Sequence, residues 1–170
     1  NNRFEAQLIW FGTGYLEYRF SSYLFKNNRV AEVSFSFEVC SEAPGYQNDW
    51  PSDITIWIND HIVATIYSSG DYGDRKGKLN PLWWSDTLTQ YGKLKTITIN
   101  SLGCFDDSVK CSDYTIDTLD LGEENYISFK IGVLPDAKNP GGMNLFGEKF
   151  GDYPQGLKMN VRVDHEGERK

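Results

Sequence analysis

"VAEVSFSFEV", residues 30–39, alternates without a break. Val33, Phe35, Phe37 and Val39 fall on one side, and Glu32, Ser34, Ser36 and Glu38 on the other. A period of two marks a β-strand with one buried face and one wet face. The same pattern runs outward in both directions. "YLEYRF" (15–20) sets Leu16, Tyr18 and Phe20 against Tyr15, Glu17 and Arg19. "ITIWI" (54–58), "LKTITIN" (94–100), "YISFKIGV" (126–133) and "LKMNVRV" (157–163) repeat it. "AQLIWF" (6–11), "HIVATIY" (61–67) and "YTIDTL" (114–119) read as further strands. The total is about nine or ten strands, with no segment of helical period.

Strands with one apolar face build antiparallel sheets that bury one side. Two such sheets stacked face to face make an all-β sandwich. The long excursions between strands fit a jelly roll better than a meander. "ITIWINDHIVATIY" is a hairpin with two candidate registers. A two-residue Asn59-Asp60 turn sets Ile62 across from Trp57. A three-residue Asn59-Asp60-His61 loop sets Ile62 across from Ile58 and Ile66 across from Ile54, which sorts the apolar residues better. Three long irregular stretches, 40–53, 68–93 and 134–156, are rich in Gly, Pro, Asp and aromatics. Loops of that length are functional or disordered, and their aromatic content favours function. With no internal repeat or linker, residues 1–170 read as one domain.

Bulk properties exclude several classes. Hydrophobic residues make up 39% of the 170, and no apolar run reaches the length of a membrane span. Seventeen Lys and Arg against 24 Asp and Glu leave a net charge of −7, and the densest basic patch is "DRKGK" (74–78). Such a segment is a poor nucleic-acid binder by itself, and no membrane partner is expected. The start, "NNRFEAQLIWFG", lacks the features of a secretory leader. Cys40, Cys104 and Cys111 are odd in number and have no metal-like spacing, so three reduced thiols and a cytoplasmic location are expected. A Cys104–Cys111 bridge is the alternative.

Catalytic and metal motifs are sparse. His61 and His165 are the only histidines, too few for a histidine zinc site. "CFDDSVKCSD" and "DTLDLGEEN" offer oxygens for calcium, without a calcium-loop spacing. There is no nucleophile elbow, P-loop or dinucleotide fingerprint, so no cofactor is expected. Glu17, Glu32 and Glu38 lie on polar strand faces and could in principle supply a glycosidase pair, although any solvated sheet carries such residues. Sugar binding without hydrolysis asks less: an exposed indole or phenol against a pyranose face, with amides, acids and Arg for the hydroxyls. Trp57 is notable, since it shares a strand face with Asp53, Thr55 and Asn59.

The strings "EVCSEAPGYQNDWPSDITIWIN", "GKLNPLWWSDTLTQYGKLKTITIN" and "GMNLFGEKFGDYPQGLKMNV" resemble a bacterial group, the ArsR-like helix-turn-helix transcriptional regulators, in which a winged helix precedes a β-rich C-terminal domain. The resemblance runs from about Phe11 to Val163. It implies the effector or assembly half of a cytoplasmic transcription factor, with DNA contacted only through a winged-helix domain that this chain does not include. It carries over no metal-sensing cysteines and no site residues. The expectation is a non-enzymatic regulatory domain that senses a small polar ligand such as a carbohydrate. Its contacts would come from Tyr46, Asn48, Asp49, Trp50, Trp57, Asp71, Arg75, Trp83 and Trp84. A homodimerisation surface and a sandwich glycosidase are the alternatives.

Overall fold

The computed structural model describes residues 6–23, 25–121 and 124–164. These form no helix and eleven strands: β1 (Leu8–Phe11), β2 (Gly14–Ser21), β3 (Arg29–Cys40), β4 (Ser52–Ile58), β5 (His61–Ser68), β6 (Lys93–Asn100), β7 (Gly103–Asp106), β8 (Val109–Ser112), β9 (Tyr126–Val133), β10 (Met143–Phe146) and β11 (Lys158–Asp164). All ladders between them are antiparallel. One sheet runs β1-β10-β3-β6-β7-β8, with β11 also on β3, and the other runs β2-β9-β4-β5. The 12-residue β3 is long enough to hold β11 along its first part and β10 at its end. The pairings are nested: β1 with β10, β2 with β9, β3 with β6 and β4 with β5. The β7–β8 hairpin and β11 lie outside this nesting.

The two sheets face each other across one core, and the strand alternation explains it. Val33, Phe35, Phe37 and Val39 of β3 meet Ile54, Ile56 and Ile58 of β4 and Ile127, Phe129 and Ile131 of β9. The Phe129 ring lies 4.7 Å from that of Phe35 and 5.6 Å from that of Phe37. Each such side chain contributes about 1.5–3 kcal/mol by burial. The alternate residues of β3 and β4 point outward, away from this core.

The hairpin adopts parts of both registers. Asn59 and Asp60 form a two-residue turn with φ of 46° and 67°, which places Trp57 opposite Ile62. A bulge then puts the extra residue Val63 into β5, restoring Ile56 opposite Ala64 and Ile54 opposite Ile66. The expected strand at 114–119 is instead a run of turns. Leu119 N–H donates to the Thr115 carbonyl at 3.1 Å and Leu121 N–H to the Ile116 carbonyl at 3.2 Å. The Thr115 and Thr118 hydroxyls bond nearby backbone, which competes with a ladder. The curl brings Ile116, Leu119 and Leu121 to the core together. β7, β8 and β10 lie where loops were expected. Each has four residues, and β10 is buried on both faces, so neither length nor alternation marks it.

Candidate functional site

The cleft forms on the outer face of the larger sheet. Trp10 of β1 is paired with Asn144 of β10, and Asn144 with Cys40 at the end of β3. Period two puts these three side chains on the face away from the core, whereas Phe11, Met143 and Leu145 face inward. Two loops cross above the row: 41–51, which leaves β3, and 69–92, which joins β5 to β6. They are tied together by backbone bonds from Ser41 N–H to the Gly70 carbonyl (3.1 Å), Asp71 N–H to the Gln47 carbonyl (2.8 Å) and Trp50 N–H to the Ser69 carbonyl (3.0 Å). A cleft of about 120 Å³ opens between loops and sheet, with Leu8, Trp10 and Trp84 as apolar walls and Glu42, Thr89 and Asn144 as polar ones.

Trp84 is well held. Its Nε1–H donates to the Thr89 carbonyl at 2.9 Å, and its ring sits edge-on to Phe150 at 4.9 Å. Trp10 is 56% exposed. Asp71, fully buried, lies directly behind the polar wall. Its Oδ2 accepts from Ala43 N–H (2.9 Å) and the Thr89 hydroxyl (3.0 Å), and the Asn144 amide approaches to 3.5 Å. Its Oδ1 is buried without a hydrogen-bond partner among the described residues. Burial pushes its carboxyl up to about 6, and nearby Glu42 adds to the rise. Burial likewise raises the Glu42 carboxyl, against the Asn144 amide that donates to its Oε2 at 2.9 Å.

The residues expected to bind divide sharply. Trp84 lines this cleft, and Asp71 lies behind its polar wall without lining it. Tyr46 lies over Gly73, where a Cβ would come within 2.3 Å of the phenol ring, so its ring is a packing element. Trp50 donates from Nε1 to the Gly141 carbonyl at 3.2 Å and ties its loop to 141–142. Asn48 and Asp49 are exposed on the outside of that loop. Arg75 is engaged with Asp152 and lies over the Tyr91 ring at 3.7 Å. Trp83 is 78% exposed, beside Trp84. Trp57 is on the outer face of the smaller sheet, in row with Lys130 and 6.3 Å from Tyr15, on the opposite side of the sandwich from the cleft. Trp10, Glu42, Thr89 and Asn144 were not among the expected contacts. Trp10 could have been found from the period-two face it shares with Leu8. No local pattern marks Asn144, since its role depends on which strand it pairs with.

Glu17, Glu32 and Glu38, the three acids weighed as a glycosidase pair, do not come together. Glu17 is on the outer face of the smaller sheet, bonded to the Ser128 hydroxyl and Arg19. Glu32 and Glu38 are on the other sheet, beyond a core about 10 Å thick. Glu32 and Glu38 are six residues apart along one strand, about 20 Å, too far to flank one glycosidic bond. Glu38 is fully buried and accepts from the N–H groups of Gly92 (2.8 Å), Asp152 (3.0 Å) and Tyr153 (3.0 Å), which fastens two loops to β3. Of the acids weighed for calcium, Asp106 and Asp107 pair with Lys95, and Asp113 with Lys110. No group of three or more His, Cys, Asp or Glu gathers among the described residues. His61 packs against Tyr114 at 5.3 Å, and His165 lies outside the described residues. All three cysteines are free thiols. No helix among the described residues is long and apolar enough to cross a membrane.

Two larger cavities carry no indole wall. One, of about 430 Å³, lies against Ile9, Tyr18, Phe20 and Leu145, and another, of about 580 Å³, against Arg29, Asn100 and Arg162. Neither is lined by the crossing loops. A scan against family models and a search of curated proteins give no match to this chain.

Proposed function

We propose that this chain is a non-enzymatic sensing domain that takes a small polar ligand, such as a carbohydrate, in the cleft between β1, β10 and the two crossing loops. The observation that carries this reading is the pairing of indole walls, Trp10 and Trp84, with the polar groups of Glu42, Thr89 and Asn144 in one opening. An apolar ligand face would rest on an indole while its polar edge meets the acid and amide. The resemblance to ArsR-like regulators supports a place in a bacterial cytoplasmic transcription factor. Binding would shift the population of conformers passed to a winged-helix partner domain, which contacts DNA. The test is a thermal-shift screen against sugars and small polar metabolites, repeated with Trp10→Ala. A ligand that binds the folded form raises the melting temperature, and the shift should vanish in the variant. No shift with any compound, or a shift that survives Trp10→Ala, would count against the cleft.

A homodimer is the second reading, favoured by Tyr15, Ile62 and Tyr67, which are 61%, 49% and 63% exposed on the outer face of the smaller sheet. Light scattering of wild type and Tyr67→Lys separates it: a dimer mass that falls to monomer in the variant supports this face as the interface.

A further inference from the structure

The donors and acceptors of the cleft are unevenly used. Asn144 Nδ2 donates to the Ser41 carbonyl (2.7 Å) and to Glu42 (2.9 Å). Thr89 donates its hydroxyl hydrogen to Asp71, and Trp84 its Nε1–H to the Thr89 carbonyl. These donors all point into the protein. What is left facing the opening is acceptor capacity, chiefly Glu42. It takes a single hydrogen bond among the described residues, where a carboxylate can accept about four.

Charge is uneven in the same direction. No Lys, Arg or His among the described residues lines the cleft. Several partly buried acids elsewhere have cationic partners, Glu17 with Arg19, Asp106 with Lys95 and Asp152 with Arg75, whereas Glu38 and Asp53 are bonded to backbone N–H groups and to the Asn139 amide. Among the described residues neither Glu42 nor the buried Asp71 has a cationic partner, and one oxygen of Asp71 has no hydrogen-bond partner. A carboxylate at an opening flanked by indole faces complements a cation, because the ring face is the negative pole of its quadrupole.

Resting on the cleft proposed above, we infer that its ligand bears a positively charged nitrogen, so that the site takes an organic ammonium group with its cation between Glu42 and the Trp10 and Trp84 indoles. A ligand N–H would bond Glu42 with charge assistance, and methyl or methylene groups on the nitrogen would pack on the rings. Asp71 adds negative potential from behind without touching the ligand. A neutral polyol needs donors from the site for its own acceptors, and those of Asn144, Thr89 and Trp84 are already engaged, which leaves it the Trp10 indole N–H.

Binding is read by tryptophan fluorescence titration of the 170-residue chain with choline chloride and ethanolamine. The comparison ligands are 3,3-dimethylbutan-1-ol, a neutral isostere of choline, and glucose, with sodium chloride as the ionic-strength control. At least one of the two ammonium compounds should bind about ten-fold or more tighter than the neutral isostere. Glu42→Gln should weaken it about ten-fold, and Trp10→Ala should weaken it several-fold while leaving the melting temperature nearly unchanged. Should Glu42→Gln not fold, Glu42→Asp replaces it, with the same direction expected. Equal binding of the cations and the isostere, or binding unaffected by the Glu42 variant, overturns the inference. Glucose binding that is lost in Trp10→Ala, without ammonium binding, overturns it while leaving the cleft as the site. Binding of none of these compounds overturns the ammonium inference, and a negative sugar screen alongside it removes the cleft as well.

Discussion

Replacing Asp71 by Asn tests the buried polar layer on which the cleft rests. The Asp71 carboxyl sits at about 6 in the fold, against an ordinary 3.8, because burial disfavours its charged form. Between those values the folded chain holds a proton that the unfolded chain has released. Stability therefore falls as pH rises from about 4 to about 6, and the loss is complete above that. At about 1.4 kcal/mol per pH unit of separation, the interval amounts to about 3 kcal/mol. The nearby Glu42 pulls the same way as burial, while the opposing groups are the Ala43 N–H, the Thr89 hydroxyl and the Asn144 amide. The amide side chain of the Asp71→Asn variant can keep the bonds accepted by Oδ2 and does not ionise. Its N–H₂ group would occupy the unpartnered Oδ1 position, at a cost of about 1–3 kcal/mol. At pH 7 the two proteins should thus lie within a few kcal/mol of each other, so the informative quantity is the slope. Urea unfolding followed by tryptophan fluorescence from pH 4 to pH 7.5 gives the stability difference between wild type and variant. It should move by about 3 kcal/mol in favour of the variant as pH rises. A difference flat to within about 0.5 kcal/mol would refute the account of Asp71 as a buried acid without a cationic partner.

Other consequences follow from single contacts. Glu38→Ala leaves the N–H groups of Gly92, Asp152 and Tyr153 without their acceptor and should cost about 3–5 kcal/mol in chemical denaturation. Phe129→Ala removes the ring between Phe35 and Phe37 and should cost about 3–5 kcal/mol by the same measurement. Gly73→Ala would drive a methyl into the Tyr46 ring and should lower the melting temperature well beyond the effect of Gly12→Ala, where no atom lies within 4 Å. Iodoacetamide on the native protein should label Cys111, which is exposed, before Cys40 and Cys104, which are buried. Burial, with Cys111 alongside, pushes the Cys104 thiol up to about 12 and slows its reaction further. Peptide mass spectrometry after a short pulse reads the order.

The regular strands were legible because their information is local. In β3 and β4, alternation assigns each side chain to core or surface within one segment, and the core of Val33, Phe35, Phe37, Ile54, Ile56 and Ile58 follows. It failed where burial is two-sided or the strand is short, as in β10. It also failed at 114–119, where apolar residues reach the core by a curl and not by a pleat. The loops at 40–53 and 68–93 were expected to contribute to one site, and backbone bonds do hold them side by side. Which of their side chains face the opening could not be read, because a loop residue's direction depends on the chain that crosses it. Tyr46 and Trp50 carry the chemistry of a binding residue, yet one packs on Gly73 and the other ties its loop to Gly141.

By itself the sequence determined an all-β chain, the faces of its long strands and the loops that would meet. Those properties depend on side-chain period and turn chemistry over a few residues. The tertiary structure alone decided that Trp10 and Asn144 become neighbours and that Trp57 stands on the far side. It also decided that Asp71 is enclosed behind Glu42 with no cation beside it among the described residues. These depend on which strands pair across more than a hundred residues, and a nested sheet topology settles that only when the whole chain has closed around its core.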